Sequence, residues 1–386
     1  MKKFFFLLVV LSFVFPLKVF GLDDNLISNA KSGILIEANS GKIIYKKNIN
    51  EEIPIASMTK MVSQIIILEN IEKGNIKWNQ MITVSRNAAD MGGSQIYISE
   101  GDKISVEDLM KGISMASGND ATVQMAEVIA GSEEAFVKLM NKKVKQLGLK
   151  HTHFKNSTGL DEDGHYSSAG DMAVIARELV VNHPEILKFS SKYEDYLREN
   201  TKNKFWLVNT NKLIRFYDGA DGLKTGHTDK AKYCLAATAK RGGLRLIGVV
   251  LGEESSKIRN SEAMSLLDYG FNTINYSLLK KKGSKIKNIY FNDGTKKFAS
   301  LILKNNLGVI SDKTNTKKSF KYKNIIYKNK LKYPIRKGQK IGKINVYDNG
   351  RIVSSSDLII DSSIDKISFI KFFVNNYLDS MSGVMY

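Results

Sequence analysis

Ser57 and Lys60 are the first residues of the chain whose types and spacing could support covalent chemistry. They stand three residues apart, shortly after Pro54, where the apolar pattern indicates that a helix begins. On a helix this spacing places both side chains on one face, so the lysine amine can accept the proton of the serine hydroxyl. Free N–H groups at the helix start stabilise the developing negative charge. The pair predicts a serine nucleophile with a lysine base.

Two further motifs follow along the chain. Lys224-Thr225-Gly226 stands at the entry to a predicted strand and supplies a second amine next to a hydroxyl. Ser117-Gly118-Asn119 opens a predicted helix and supplies a hydroxyl and a carboxamide. In this order the three motifs resemble those of the penicillin-binding serine peptidases: Ser-x-x-Lys, Ser-x-Asn and Lys-Thr-Gly.

Longer segments narrow the resemblance to the low-molecular-mass D-alanyl-D-alanine carboxypeptidases. The likeness spans roughly residues 28–275, and it is strongest in residues 54–61, 117–121, 166–173, 221–228 and 266–271. The resemblance implies hydrolysis of the terminal D-alanine from the stem pentapeptide of peptidoglycan, with β-lactams such as penicillin as covalent inhibitors. It also implies a β-rich second domain and an amphipathic anchor at the carboxy terminus.

The resemblance assigns roles to the residues of the first two motifs. Ser57 attacks the carbonyl between the last two D-alanines and forms an acyl-enzyme. Lys60 is the base, and burial together with the nearby charge of Lys224 favours its neutral form. Ser117 relays a proton to the leaving amine, while Asn119 orients the peptide and the Lys60 side chain.

The third motif is expected to bind the substrate. Lys224 and Thr225 hold the terminal carboxylate, next to Gly226. The backbone N–H groups of Ser57 and His227 form the oxyanion site.

One position departs from the family pattern. Many members have an arginine between two asparagines near the carboxylate, whereas this chain has Thr210 between Asn209 and Asn211. Arg259 remains as a possible second cation, and the alternative for Arg259 is a surface ion pair. Recognition of the carboxylate could therefore differ from that of the family.

Strands near both ends of the first 275 residues enclose a helical middle, which predicts an α+β fold. Hairpins are expected at residues 32–45 and 233–251. Helices are expected at residues 57–71, 106–115, 120–130, 133–147, 168–181 and 262–276. The family resemblance adds that this is a penicillin-binding transpeptidase-like domain, an antiparallel sheet with helices on both sides.

The carboxy-terminal part is strongly basic. Residues 271–386 contain 23 Lys and Arg against 7 Asp and Glu, or 16 of the 19 net positive charges. Short apolar runs between Gly and Asn turns predict a small all-β domain at residues 279–362, after a peptidase domain at 22–278. The charge fits either a solvated surface or an anionic partner.

Both termini carry membrane-related patterns. Lys2 and Lys3 precede an apolar run, which predicts a signal peptide over residues 1–21 and a periplasmic location; an uncleaved anchor is the alternative. In residues 363–386, Ile367, Ile370 and Phe373 recur at helical spacing. This pattern predicts an amphipathic helix lying on the outer face of the cytoplasmic membrane, or a helix packed on its own domain.

The sequence gives less support to other classes of hydrolase. A class A β-lactamase would need a deacylating glutamate, but Asp161-Glu162-Asp163 precedes a carboxypeptidase-like segment. The candidates for a metal cluster are His151, His153, His165 and Asp161, without a His-Glu-x-x-His motif. No Gly-x-Ser-x-Gly motif for a Ser-His-Asp hydrolase occurs.

A penicillin-binding sensor without turnover is the alternative from a different functional class, and it is kept open by Thr210. The single cysteine, Cys234, excludes an intramolecular disulfide framework. We expect no cofactor, no metal and no nucleic-acid partner.

Overall fold

The computed structural model describes residues 26–199, 201–312 and 320–374. Four of the longer helices begin directly after serines whose hydroxyls accept the backbone N–H of the residue three positions later, namely Ser105, Ser132, Ser168 and Ser255. The α-helices are α1 (Lys60–Glu72), α2 (Arg86–Ala89), α3 (Val106–Met115), α4 (Asn119–Ala130), α5 (Glu133–Leu147), α6 (Ala169–Asn182), α7 (Leu187–Ser190), α8 (Leu213–Phe216) and α9 (Ser256–Thr273).

Strands near both ends of the first domain combine into one antiparallel sheet of order β2-β1-β9-β8-β7, and two hairpins, β3-β4 and β5-β6, lie outside it. These strands are β1 (Ser32–Glu37), β2 (Ile43–Lys47), β3 (Met81–Thr83), β4 (Lys103–Ser105), β5 (Glu194–Leu197), β6 (Phe205–Val208), β7 (Ala220–Thr228), β8 (Lys232–Arg241) and β9 (Leu244–Glu253).

Helices cover both faces of this sheet. Along β1, Ile34 and Ile36 belong to a core that includes residues of α1 and α6, whereas Leu35 belongs to a second core with residues of α9. Successive side chains of a strand point to opposite faces, so the alternation places the sheet between two helical layers. The predicted α+β fold with helices on both sides is confirmed.

The carboxy-terminal part is a separate β-structure with its own apolar core. A five-stranded sheet has the order β11-β12-β16-β15-β14, and β10 pairs with β13. The strands are β10 (Ile274–Lys280), β11 (Lys285–Tyr290), β12 (Phe298–Leu303), β13 (Leu307–Asp312), β14 (Lys321–Ile326), β15 (Lys340–Asp348) and β16 (Arg351–Ile360). The predicted β-rich second domain is confirmed, while the boundaries that we place at 278 and 362 stay predictions.

Three local expectations need correction. Ser57 lies in a 3₁₀ turn (Ala56–Thr59) that precedes α1, and this turn begins at Ala56, whose φ of +48° is outside the helical region. Helix α9 begins six residues before the predicted residue 262, since Ser255 caps it, and residues 274–276 belong to β10 instead. The Lys224 motif lies within β7, not before the sheet.

The predicted tail helix is described only at its start. Residues 369–374 are helical, and the Ser368 hydroxyl accepts the backbone N–H of Lys371. Residues 1–21 and 375–386 lie outside the described residues, so the signal peptide and most of the predicted anchor stay predictions. Among the helices that are described, none combines the length and hydropathy of a membrane span.

A buried histidine fastens the turn of Ser57 to a neighbouring loop. The backbone N–H of Lys155 donates to Nδ1 of His165, so Nε2 carries the proton and donates to the Thr59 hydroxyl over 2.8 Å. That hydroxyl in turn donates to the carbonyl of Ala56. Burial lowers the pKa of His165 from 6.5 to about 4, so the imidazole is neutral at pH 7.

We expect this histidine to make stability depend on pH. Below pH 6.5 the imidazole of His165 is protonated in the unfolded chain, whereas in the folded chain it stays neutral until the pH falls to about 4. The free energy of unfolding should therefore fall as pH falls through this window, by up to about 3 kcal/mol. Urea unfolding at several pH values should show a shallower dependence for His165→Gln than for the parent chain.

His151→Gln, at a more exposed histidine, is the control and should keep the parent's pH dependence. Equal pH dependence in the parent and in His165→Gln would show that His165 does not couple folding to protonation.

Candidate active site

The turn that carries Ser57 is held between a loop and a strand. A side chain at Gly159 would meet the carbonyl oxygen of Ala56 at 1.9 Å, and a side chain at Gly226 would meet that of Ile55 at 2.5 Å. Both positions therefore require glycine for close backbone approach. The contacts fix Ser57 next to β7, although the two segments are far apart in the sequence.

Lys60 is fully buried and makes three hydrogen bonds. Its Nζ lies at hydrogen-bond distance from Ser57 Oγ, 2.8 Å, and donates to Asn119 Oδ1 and to the carbonyl of Thr158, each over 2.7 Å. Burial, and then the charge of Lys224, lower the pKa of Lys60 well below its usual range, against smaller opposing contributions from Asp120 and Glu133. The geometry therefore places an amine that can accept a proton next to a serine hydroxyl.

The Ser117 motif lies next to Lys60. Ser117 has a φ of +63° and is 4% exposed, and its hydroxyl has no hydrogen-bond partner among the described residues. Asn119 is fixed at both ends of its carboxamide, since Nδ2 donates to the carbonyl of Gly92 while Oδ1 accepts from Lys60. The hydroxyl of Ser117 is thus available for a ligand in the cleft.

Lys224 and Thr225 lie on the edge strand of the sheet. Burial and the charge of Arg259 lower the pKa of Lys224 to about 7. The Lys224 amine donates to the Thr225 carbonyl over 2.9 Å, and the Thr225 hydroxyl donates to that of Thr210 over 2.8 Å. Thr210, which stands where many relatives have arginine, therefore contacts the third motif directly.

Arg259 is 5% exposed, which contradicts its reading as part of a surface ion pair. Its Nε and Nη2 donate to the side chain of Asn260, and its guanidinium lies 6.0 Å from the Tyr233 ring centroid. None of the ion pairs of the described residues includes Arg259, although the charge of Glu253 acts on it at longer range. This cation can therefore bind an anion near Lys224.

His227 is exposed at the end of β7 and stacks on Tyr233, with ring centroids 4.1 Å apart. Because β7 is the edge strand, one row of its backbone groups has no strand partner in the described structure. Such an edge can pair with an extended peptide.

The predicted site residues therefore converge, and several unpredicted groups join them. The carbonyls of Thr158 and Gly92 position Lys60 and Asn119, but a backbone carbonyl leaves no signature in sequence. The described residues contain no cluster of three His, Cys, Asp or Glu arranged for a metal. Of the candidate metal ligands, His165 is engaged with Thr59.

Comparison with known proteins connects this geometry to an activity. Residues 23–255 match the D-alanyl-D-alanine carboxypeptidase family, and residues 275–366 match the C-terminal domain of penicillin-binding protein 5. The chain is 46% identical to D-alanyl-D-alanine carboxypeptidase DacF of Bacillus subtilis, over 90% of this chain and 89% of the relative. It is 35% identical to DacA of Escherichia coli, over 88% and 85%.

Solved structures show the same likeness. Penicillin-binding protein 5 of Haemophilus influenzae aligns with a TM-score of 0.67 at 32% identity, covering 88% of this chain and 98% of that one. Penicillin-binding protein D2 of Listeria monocytogenes in its ampicillin-bound form aligns with a TM-score of 0.57 at 31% identity, covering 63% and 97%. The chain belongs to the D-alanyl-D-alanine carboxypeptidase family, the serine peptidases among the low-molecular-mass penicillin-binding proteins.

Proposed function

We propose that this carboxypeptidase trims peptidoglycan stem pentapeptides through an acyl-enzyme on Ser57, with Lys60 as its base. The observation that supports this most directly is the 2.8 Å hydrogen bond between Ser57 Oγ and the buried Lys60 amine. An amine whose pKa is lowered by burial can take the hydroxyl proton as Oγ attacks. A lysine exposed to water would stay charged and could not.

Acylation uses groups on both sides of the cleft. Oγ of Ser57 attacks the carbonyl carbon of the penultimate D-alanine, and its proton moves to Lys60. The backbone N–H groups of Ser57 and His227 stabilise the oxyanion. As the peptide bond breaks, Ser117 gives its hydroxyl proton to the leaving D-alanine nitrogen and regains one from Lys60.

Deacylation repeats this sequence with water as the nucleophile. A water proton moves to the neutral Lys60 while the oxygen attacks the acyl carbon, and the ester bond to Ser57 then breaks. Lys60 returns the proton to Oγ, which restores the starting enzyme. Asn119 holds the Lys60 amine in position throughout, since its own carboxamide is fixed by Gly92.

The free chain end is recognised by cations at the end of the cleft. We assign the terminal carboxylate to Lys224, Thr225 and Arg259, because Arg259 is close enough for its charge to lower the pKa of Lys224. A bound carboxylate relieves this repulsion. Gly226 keeps β7 against the nucleophile turn. Penicillin offers a carboxylate next to a reactive carbonyl, so we expect it to acylate Ser57 as well.

Export and membrane attachment complete the proposal. The pattern of residues 1–21 supports secretion to the periplasm, where peptidoglycan lies. The tail supports attachment, because Phe369, Ile370 and Phe373 are 79%, 76% and 65% exposed at the start of its helix. Apolar side chains exposed in this way favour an amphipathic helix that lies in the membrane interface.

Replacement of the nucleophile tests the proposed chemistry. Ser57→Ala should abolish both the mass shift after incubation with penicillin and the release of D-alanine from pentapeptide. Lys60→Arg should be nearly as damaging, because a guanidinium stays charged and cannot accept the proton. Ser63→Ala, at another buried serine on the adjoining helix, is the control and should keep both activities.

An acyl adduct on Ser57→Ala would rule out the assigned nucleophile. Labelling of the parent chain without D-alanine release would identify a sensor, the alternative that the sequence left open.

Arg259 and Thr210 test how the carboxylate is bound. Loss of a charge-assisted hydrogen bond of about 1.5 to 3 kcal/mol should lower kcat/KM for pentapeptide about 10- to 100-fold in Arg259→Gln. Thr210→Arg, added to Arg259→Gln, should restore part of this loss, since it places a guanidinium against Thr225. If neither substitution changes kcat/KM, Lys224 and Thr225 alone recognise the carboxylate.

Truncation after Ser368 tests the membrane anchor. The cut keeps Ile364 and Ile367, which are buried, and removes the exposed helix. We expect lost co-sedimentation with anionic vesicles and an unchanged Tm. Retained co-sedimentation with a lowered Tm would instead mean that the helix packs on its own domain.

A further inference from the structure

An exposed pair of aromatic side chains lies at the end of the β11-β12 hairpin. Tyr290 and Phe298 are directly opposite each other in the register, and their ring centroids are 6.2 Å apart. Tyr290 is 62% exposed and Phe298 is 55% exposed. Two adjacent exposed aromatic rings form an apolar patch of the kind that marks an interaction surface.

Backbone hydrogen bonds fix this hairpin to the segment that leads into the tail helix. Ile367 donates its N–H to the carbonyl of Asp293 over 2.9 Å, and Thr295 donates to that of Asp365 over 2.8 Å. Gly294 and Lys366 form a β-bridge between the same segments. The aromatic pair and the first turn of the helix are therefore parts of one rigid end of the domain.

Cations surround this end. Lys296, Lys366 and Lys371 lie in or next to the two segments. The nearby carboxylates are already engaged by protein donors. The Asp293 side chain accepts from the Tyr333 hydroxyl, that of Asp365 from Arg336, and that of Asp361 from the backbone of Ser300. Lys366 lies 3.8 Å from Asp293 but is 68% exposed, so that pair is screened by water.

We propose that Tyr290, Phe298 and Lys296, together with the first turn of the tail helix, form one surface that lies on an anionic lipid bilayer. Aromatic rings with lysines beside them are typical of the membrane interface, where one part of the side chain is apolar and another is wet. A second copy of the chain would bring like charges together at this surface. The inference rests on the proposed tail attachment, and it adds a second point of contact.

Contact through both the hairpin and the tail helix should determine the orientation of the carboxy-terminal domain on the membrane. A helix alone can pivot about its connection to the domain, whereas a helix and a hairpin that are bonded to each other cannot. The hairpin should therefore contribute both affinity and a fixed orientation of the peptidase domain.

The test uses the full chain and vesicles of equimolar phosphatidylglycerol and phosphatidylcholine. Tyr290→Ser with Phe298→Ser should weaken partitioning onto these vesicles by about 10- to 100-fold. The Tm and the release of D-alanine from a soluble pentapeptide should not change. Tyr196→Ser with Trp206→Ser is the matched control, since these residues are also opposite each other in a hairpin and exposed. It should partition like the parent.

A second variant keeps the inference testable if the double variant unfolds. Phe298→Trp places a fluorophore on the proposed surface, while the chain's own Trp78 and Trp206 lie in the peptidase domain. Its added emission should shift to the blue and be quenched by brominated lipid. An added tryptophan that stays unquenched while the full chain binds overturns the inference and leaves the tail anchor intact.

Two other outcomes also count against the inference. If the full chain does not bind anionic vesicles, the tail attachment fails, and the inference fails with it. If sedimentation equilibrium shows a dimer in solution that the double serine variant dissociates, the patch contacts a second copy instead of lipid.

Discussion

The burial of two lysines in one cleft is the constraint on which the rest of the site depends. Lys60 and Lys224 are 0% and 1% exposed, and burial lowers the pKa of both amines below that of a lysine in water. Two buried charges of one sign are costly, so at least one amine must be neutral or paired with an anion. The carbonyls of Thr158 and Thr225 accept from these amines and make the burial tolerable. The same electrostatics are what the proposed base and the proposed carboxylate site require.

Sequence predicted those parts of the fold that depend on local chemistry. Helices α3 to α6 begin and end within one residue of expectation, because capping serines, acidic first turns and terminal glycines mark them. The residues of the three motifs converge as expected, and the family and its activity are confirmed. The individual catalytic roles, the signal peptide and the membrane anchor stay predictions.

The sequence did not predict those features that depend on backbone geometry or on pairing between distant segments. Ala56 has a positive φ, and its carbonyl lies against Gly159, more than a hundred positions along the chain, so no local pattern near Ser57 predicts the 3₁₀ turn. Strand β7 mixes lysine, threonine and glycine, and it is a strand because it pairs with β8. The hydrogen bond between His165 and Thr59 joins residues 106 positions apart, so no local sequence pattern predicts it either.

The topology of the central sheet also sets the order in which the parts of the site can assemble as the chain is made. Strand β1 lies between β2 and β9, so that Ile34 faces Val249 across the ladder. A growing chain delivers Ser57 early, but β7 and Arg259 arrive only after most of the domain has been made. Pairings so distant in sequence form late and all together. A part-made chain thus has Ser57 and Lys60 but not the strand and the arginine that complete the proposed site, so on our proposal the enzyme becomes reactive only after the whole domain has folded.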